Sequence, residues 1–368
     1  MTETEACIAL NMVPGMGPVR LRTLLETFQT PQRILAAGAA ALRAAKGVGK
    51  ETADSIASWE SHVDLAAEMK RIADFGAKVI TLNSPEYPAA LRTIHNPPVV
   101  LYVWGDLLPA DAHAIGIVGS RNVTHYGTET AKKLSYQIAF AGYTIVSGLA
   151  RGIDTAAHQG ALAAKGRTIA VLGSGLAVLY PPENLALAEK IAASGAVVSE
   201  YPMERPADRQ TFPYRNRIVA GWGRGILVVE AGLNSGALIT ANQAVEQGRT
   251  VFAIPGPIDR PTSAGTNRLI QQGARLVTSA DDILDELGTL IPRTSPMALG
   301  EKSSAPSSAP ALSHDETLLV TALEVGELTH DELSAATRIP GPKVSSTLLV
   351  LEMKRLVRAL PGHRYVRL

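Results

Sequence analysis

The sequence has one cysteine, Cys7, in 368 residues, which excludes an internal disulfide framework and a Cys-rich zinc site and suits a reducing compartment. A charge of one sign is lacking too: 35 Lys+Arg stand against 34 Asp+Glu. Nothing global therefore argues for a polyanion partner, and any such site must be a local patch. No uninterrupted apolar run nears the roughly 20 residues of a membrane span. The opening MTETEACIAL is acidic and lacks the basic start of a signal peptide. A soluble cytoplasmic protein without membrane contact is expected.

What is present falls into segments, and the length suggests two or three domains at roughly 100 to 200 residues each. Residues 1–62 read as short helices around two glycine turns, PGMG at 14–17 and KGVG at 46–49. They resemble paired helix-hairpin-helix units, whose turns expose N–H groups at a helix N-terminus where a phosphate can sit. The same glycines also serve simply to let helices pack through a tight turn. GVGKET imitates the end of a P-loop, but Ala44 stands where that motif needs glycine, and no strand leads in.

From 63 to 288 the pattern changes. After a helix and an extended lead-in, seven apolar runs (AIGIVGS, YTIVSGLA, RTIAVLGSG, AVVSEYP, GILVVEA, TVFAIPG and ARLVTS) alternate with helical stretches. This is the spacing of βαβ units and predicts an α/β fold with a doubly wound parallel sheet, an extended Rossmann-like core. Residues 289–313, with SSAPSSAP, read as a flexible linker. Residues 314–368 suggest three helices and a hairpin, a winged helix-turn-helix; from Lys343 onward six basic residues face one acid, Glu352. Such a module reads duplex DNA or packs on a protein partner, and its shape does not decide which.

In a doubly wound sheet ligands gather beyond the carboxyl ends of the strands. Small residues stand there: Gly119-Ser120-Arg121, Ser147-Gly148 with Arg151-Gly152, Gly173-Ser174-Gly175, and Ser235-Gly236. They allow an anion close to backbone N–H groups, and Arg121 adds bidentate phosphate recognition. The rim does not match a dinucleotide site, because GSRNVTHYG is not G-x-G-x-x-G and no ribose-binding acid ends the second strand. Glu230 and Asp154 are the acids available for general acid–base chemistry, though a loop-capping role for Glu230 and a helix N-cap for Asp154 fit better. His158 has no second metal ligand at helical spacing and reads as packed or solvated.

Between Arg205 and Arg224 lie five arginines and one acid, Asp208. They are either a solvated helix face paired with carboxylates or, together with Phe212, phosphate contacts beside a base-stacking platform for single-stranded nucleic acid.

Five stretches in order, GSRNVTHYG (119–127), SGLARGIDTAAHQGAL (147–162), GSGLAVLYPPEN (173–184), FPYRNRIVAG (212–221) and VVEAGLNSGALITANQAVEQGRTVFAIPG (228–256), resemble the DNA-processing protein A family, DprA or Smf. The resemblance implies a non-enzymatic protein that binds and protects incoming single-stranded DNA and loads the RecA recombinase during natural transformation, as a homodimer, with no metal or cofactor. Its DNA groove would use Gly119, Ser120, Arg121, Phe212, Arg215, Asn216, Arg217, Ser235 and Gly236, and by extension Arg209. Ala177, where an acid is expected, and Gly221-Trp222-Gly223, in place of an aliphatic helix end, depart from the pattern. The alternative is a Rossmann-like phosphoribohydrolase acting on nucleoside monophosphates, but such enzymes carry a PGGxGT-type motif, and this chain has VVEAGLNSGALIT instead.

Overall fold

The computed structural model describes residues 1–288, 313–323, 328–353, 356–360 and 364–367. The linker expected over 289–313 lies, apart from Ser313, outside the described residues. The chain forms two compact units.

The larger unit opens with five helices, α1 (Glu3–Met12), α2 (Pro18–Phe28), α3 (Pro31–Leu35), α4 (Ala39–Arg43) and α5 (Lys50–Ala57). Thr2 and Glu5 close a capping box on α1. In the two turns Gly15 and Gly47 take the left-handed φ values of 77° and 79°, which a side chain resists. Gly17 and Gly49 instead begin α2 and α5 with open space above them. These helices own no separate core: Ile8, Leu10, Leu24 and Leu42 share one apolar cluster with Tyr102, Leu172 and Val197 of the neighbouring sheet.

Next come α6 (Leu65–Phe75), β1 (Lys78–Thr81), α7 (Ala89–Arg92) and β2 (Val100–Gly105), which supply the expected helix and lead-in. Then βα units follow: β3 (Ala114–Val118), α8 (His125–Phe140), β4 (Thr144–Ser147), α9 (Ile153–Ala163), β5 (Thr168–Val171), α10 (Leu185–Ser194) and β6 (Ala196–Ser199). The unit continues with α11 (Thr211–Trp222), β7 (Gly225–Val228), α12 (Gly236–Glu246), β8 (Thr250–Ala253), α13 (Ala264–Gln271), β9 (Arg275–Leu276) and α14 (Ala280–Glu286).

The strands pair in the order β1-β2-β6-β5-β4-β3-β7-β8-β9. From β6 to β9 across the sheet every pairing is parallel, and β2 joins the edge antiparallel to β6. Strands β3 to β7 are buried along their whole length, as a sheet covered on both faces requires. Residues of α8, α9 and α14 cover one face, and α11 and α12 the other. The chain winds outward from β3 to β6, returns through α11, and restarts at β7 on the other side of β3. The strand order thus reverses between β3 and β7, where an open α/β sheet leaves a crevice.

The second unit contains α15 (His314–Ala322), β10 (Leu328–Thr329), α16 (His330–Thr337), α17 (Gly341–Met353), β11 (Val357–Leu360) and β12 (Arg364–Arg367), with strands in the order β10-β12-β11. Leu319, Leu333, Val344, Leu348 and Val357 form its core. Three helices backed by a small antiparallel sheet make a winged helix. No helix among the described residues is long and apolar enough to cross a membrane.

Candidate nucleic-acid interface

At the β3/β7 crevice an open cleft of about 740 Å³ runs between the strand ends, α11 and the start of α12. Nine of the ten residues expected from the sequence border it: Gly119, Ser120, Arg121, Arg209, Phe212, Arg215, Asn216, Ser235 and Gly236. They reach it from three separate connections, which only the sheet order brings together.

The glycines do not all play the part expected of them. A Cβ on Gly119 would lie 2.5 Å from Ile153 Cγ1 and 2.9 Å from the Glu230 carbonyl. On Gly148 it would strike the Arg215 guanidinium, and on Gly173 it would come within 2.9 Å of the Phe212 ring. These positions make room for the protein's own side chains. Ser120 is also committed, its N–H donating to the Glu230 carbonyl at 2.7 Å and its hydroxyl to the Asn122 carbonyl at 2.7 Å. Over Gly236, by contrast, there is open space. Ser235 caps α12 by accepting from the Ala237 N–H, so the positive end of that helix dipole faces the cleft.

Helix α11 carries the FPYRNR segment. Asp208 accepts from the N–H groups of Gln210 and Thr211 at 2.7 and 2.9 Å and so starts the helix; Pro213 is tolerated because first-turn N–H groups have no intrahelical partner. Arg215 is buried beneath the cleft, where its Nη1 donates to the carbonyls of Gly148 and Val171 and its Nε to Asn216 Oδ1. Its Nη2 makes no hydrogen bond among the described residues and is not sealed from solvent. Burial pulls the Arg215 pKa down while the nearby Asp154 charge opposes it.

Arg217, expected in the groove, lies elsewhere. Residues two apart on a helix point about 200° apart. The Arg217 guanidinium therefore turns away from Arg215 and makes a bidentate pair with buried Glu200, both bonds 2.6 Å, with further bonds to the carbonyls of Asn96 and Tyr214. Arg205 is spent on Asp208. Arg224 is exposed at the amino end of β7, away from the cleft. At the cleft the local excess of positive charge thus resolves into Arg209 and Arg215, joined by Arg121 from the end of β3. Arg121 and Arg209 are exposed and form no ion pair among the described residues. The Arg121 guanidinium lies 4.9 Å over the Phe212 ring, a cation–π contact.

Both acids near the cleft are structural. Glu230 accepts from the Thr124 N–H and hydroxyl at 3.0 and 2.7 Å at the start of α8, a capping role. Asp154 is not an N-cap: it lies inside the first turn of α9 and accepts from the N–H groups of Gly148 and Ala150 in the loop before it. Burial raises its carboxyl pKa. His158 is packed, its Nδ1 2.7 Å from the Thr168 hydroxyl, and burial pushes its pKa down to about 3. Sequence reasoning missed Tyr180, whose ring sits 5.8 Å from that of Phe212. Its signals were a place in the loop that follows β5 and in the stretch GSGLAVLYPPEN (173–184).

The chain matches the sequence profile of DNA recombination-mediator protein A over residues 78–288, that of the DprA winged helix domain over 303–363, and that of a SAM-like helix-hairpin-helix tandem over 8–58. It is 35% identical to Protein Smf of Synechocystis sp., an alignment covering 100% of this chain and 99% of that protein. The X-ray structure of DNA processing protein A from Streptococcus pneumoniae is similar at TM-score 0.69 and 35% identity, over 78% of this chain and 98% of that one. DNA processing protein A from Helicobacter pylori, a structure described for its single-stranded DNA binding mode, is similar at TM-score 0.52 and 29% identity, over 58% and 97%.

Proposed function

The chain belongs to the DNA recombination-mediator protein A family, and on that premise we propose that it binds single-stranded DNA in the β3/β7 cleft and acts by holding the strand, without chemistry on it. One observation carries the reading: two exposed arginines without an ion pair among the described residues, a third from below, the half-buried Phe212 and the open start of α12 converge on a single groove. Phosphate contacts beside an aromatic ring suit single strands of any sequence. No group in the groove has the geometry of a general base, since Glu230 and Asp154 are occupied as acceptors of backbone N–H groups. The finer role, inferred from the family resemblance, is to shield incoming strands and deliver them to a RecA recombinase, as a homodimer and in the cytoplasm, with no cofactor. The winged helix is left to a duplex or a protein partner.

Titration of fluorescent oligo-dT and a matching duplex over a range of salt tests the central claim. Single strands should bind well above duplex, and the log–log salt slope should lose about 0.7 for each phosphate contact removed. Arg121→Ala should flatten the slope and weaken binding with an unchanged melting temperature. Equal affinity for duplex, or an unchanged slope in Arg121→Ala and Arg209→Ala alike, would place the strand elsewhere. Nuclease protection of the bound strand, and RecA assembly on it, test the finer role.

A further inference from the structure

The loop between β5 and α10 sets a second aromatic, Tyr180, beside Phe212 at the margin of the cleft. Tyr180 keeps 40% of its surface exposed although it borders Phe212, and the two ring planes meet at 51°. The separation of 5.8 Å is that of an ordinary packed pair, yet much of Tyr180 remains exposed. Here the tilt leaves a wedge open to solvent. A small second pocket fills that wedge: it shares Arg121, Phe212 and Arg215 with the main cleft and is completed by Arg151, Tyr180 and Pro181. Arg121 and Phe212 therefore stand at the junction of two connected spaces.

The outer edge of the second space is cationic. Arg151 pairs with Glu183 there, and both side chains are about half exposed. An exposed pair of this kind adds little to stability, so the guanidinium can exchange its carboxylate for a phosphate at small cost. We infer that this loop forms a second nucleotide subsite, in which the Tyr180 ring stacks on the base following the one held at Phe212 and Arg151 takes the phosphate between them. The ligand is a single strand of either sugar and any base, because a ring face and a guanidinium distinguish none of them. The inference rests on single-strand binding in the main cleft and adds a direction to it: the strand leaves the cleft across the ends of β4 and β5.

The test uses the full chain and an oligo-dT length series, in parallel with Arg121→Ala. Tyr180→Ala should lose roughly 5- to 150-fold in affinity for long oligomers, the range for one base–aromatic stack. It should bind the shortest competent oligomer as the parent does, with the salt slope unchanged. Tyr180→Phe should restore long-oligomer binding, and a 2-aminopurine at the matching position should be quenched by the parent and by Tyr180→Phe but not by Tyr180→Ala. Arg151→Ala should lower the slope by about 0.7 on long oligomers only. If Tyr180→Ala melts early, Tyr180→Leu keeps the bulk and removes the ring face. Long oligomers bound by the Ala and Leu variants as tightly as by the parent, while Arg121→Ala is impaired, would overturn the subsite and leave the main cleft standing. A parent that binds no single strand would overturn both.

Discussion

The floor of the cleft and its edge are built from the same residue types and behave oppositely. On the floor, Gly119, Gly148 and Gly173 are covered by Ile153, Arg215 and Phe212, and Arg217 is locked to Glu200 behind them. On the edge, Gly236 faces open space, and Arg121 and Arg209 have no carboxylate partner among the described residues. A glycine on the floor, or Arg217 behind it, serves the fold; the same residue type on the edge serves the ligand, and Arg215, which lies under Gly148 and lines the cleft, belongs to both. Substitutions on the floor should therefore cost stability first, and those on the edge should cost binding alone.

Arg217→Ala is the severest test of that division. It strands the Glu200 carboxylate, 10% exposed, without its partner, and breaking a buried pair from one side costs about 3–5 kcal/mol. Urea unfolding should show the loss, and the folded fraction should retain the parental salt slope. A fully stable Arg217→Ala with a flatter slope would move Arg217 to the edge. Gly148→Ala should follow. Its methyl would displace the Arg215 guanidinium from the Gly148 and Val171 carbonyls, an overpacking cost of about 1–3 kcal/mol. Since Arg215 reaches the cleft, binding should fall as well. Gly148→Ala with parental stability and affinity would show that the floor yields.

The distinction between floor and edge was only half legible in the sequence. The strands were, because buried parallel strands are near-continuous apolar runs, and the small residues at their ends marked the crevice. The helical repeat even implied that Arg215 and Arg217 diverge. Which of them faced the ligand depended on Glu200, one residue past β6 and 17 residues before Arg217, outside α11 and its periodicity. The glycines misled for a related reason. A position without a Cβ reads the same whether a phosphate or a phenyl ring will occupy the space, and only the packing of α9 and α11 decides. Tyr180 went unnoticed because an isolated loop tyrosine has no periodicity to link it to a neighbouring strand end.

Behind the floor, His158 offers a pH test. Its folded pKa of about 3 lies below the ordinary value of 6.5, so below pH 6.5 the unfolded chain takes up a proton that the folded chain refuses. Stability is then lost as pH falls, by about 2 kcal/mol from this group at pH 5. Asp154, whose carboxyl burial raises, works in the opposite sense nearer its own titration. Urea unfolding between pH 7.5 and 5 should be less pH-dependent in His158→Gln than in the parent. An identical pH dependence would mean that His158 is protonated in the folded protein, and that the floor is wetter than its packing indicates.

The smallest effect belongs to the edge, and it sharpens the comparison most. Gly236 begins α12 without a positive φ, and an added Cβ would meet nothing within 4 Å. Ala is the better residue in a helix, so Gly236→Ala should be neutral or stabilising by about 0.4–1 kcal/mol through the unfolded chain. If a phosphate lies against this N-terminus, the same methyl stands between it and the backbone. Affinity for oligo-dT should then drop while the melting temperature holds or rises. That opposition of signs is what a floor glycine cannot produce. A Gly236→Ala protein that is more stable and binds as before would take the start of α12 out of the groove and leave the strand to the arginines and Phe212.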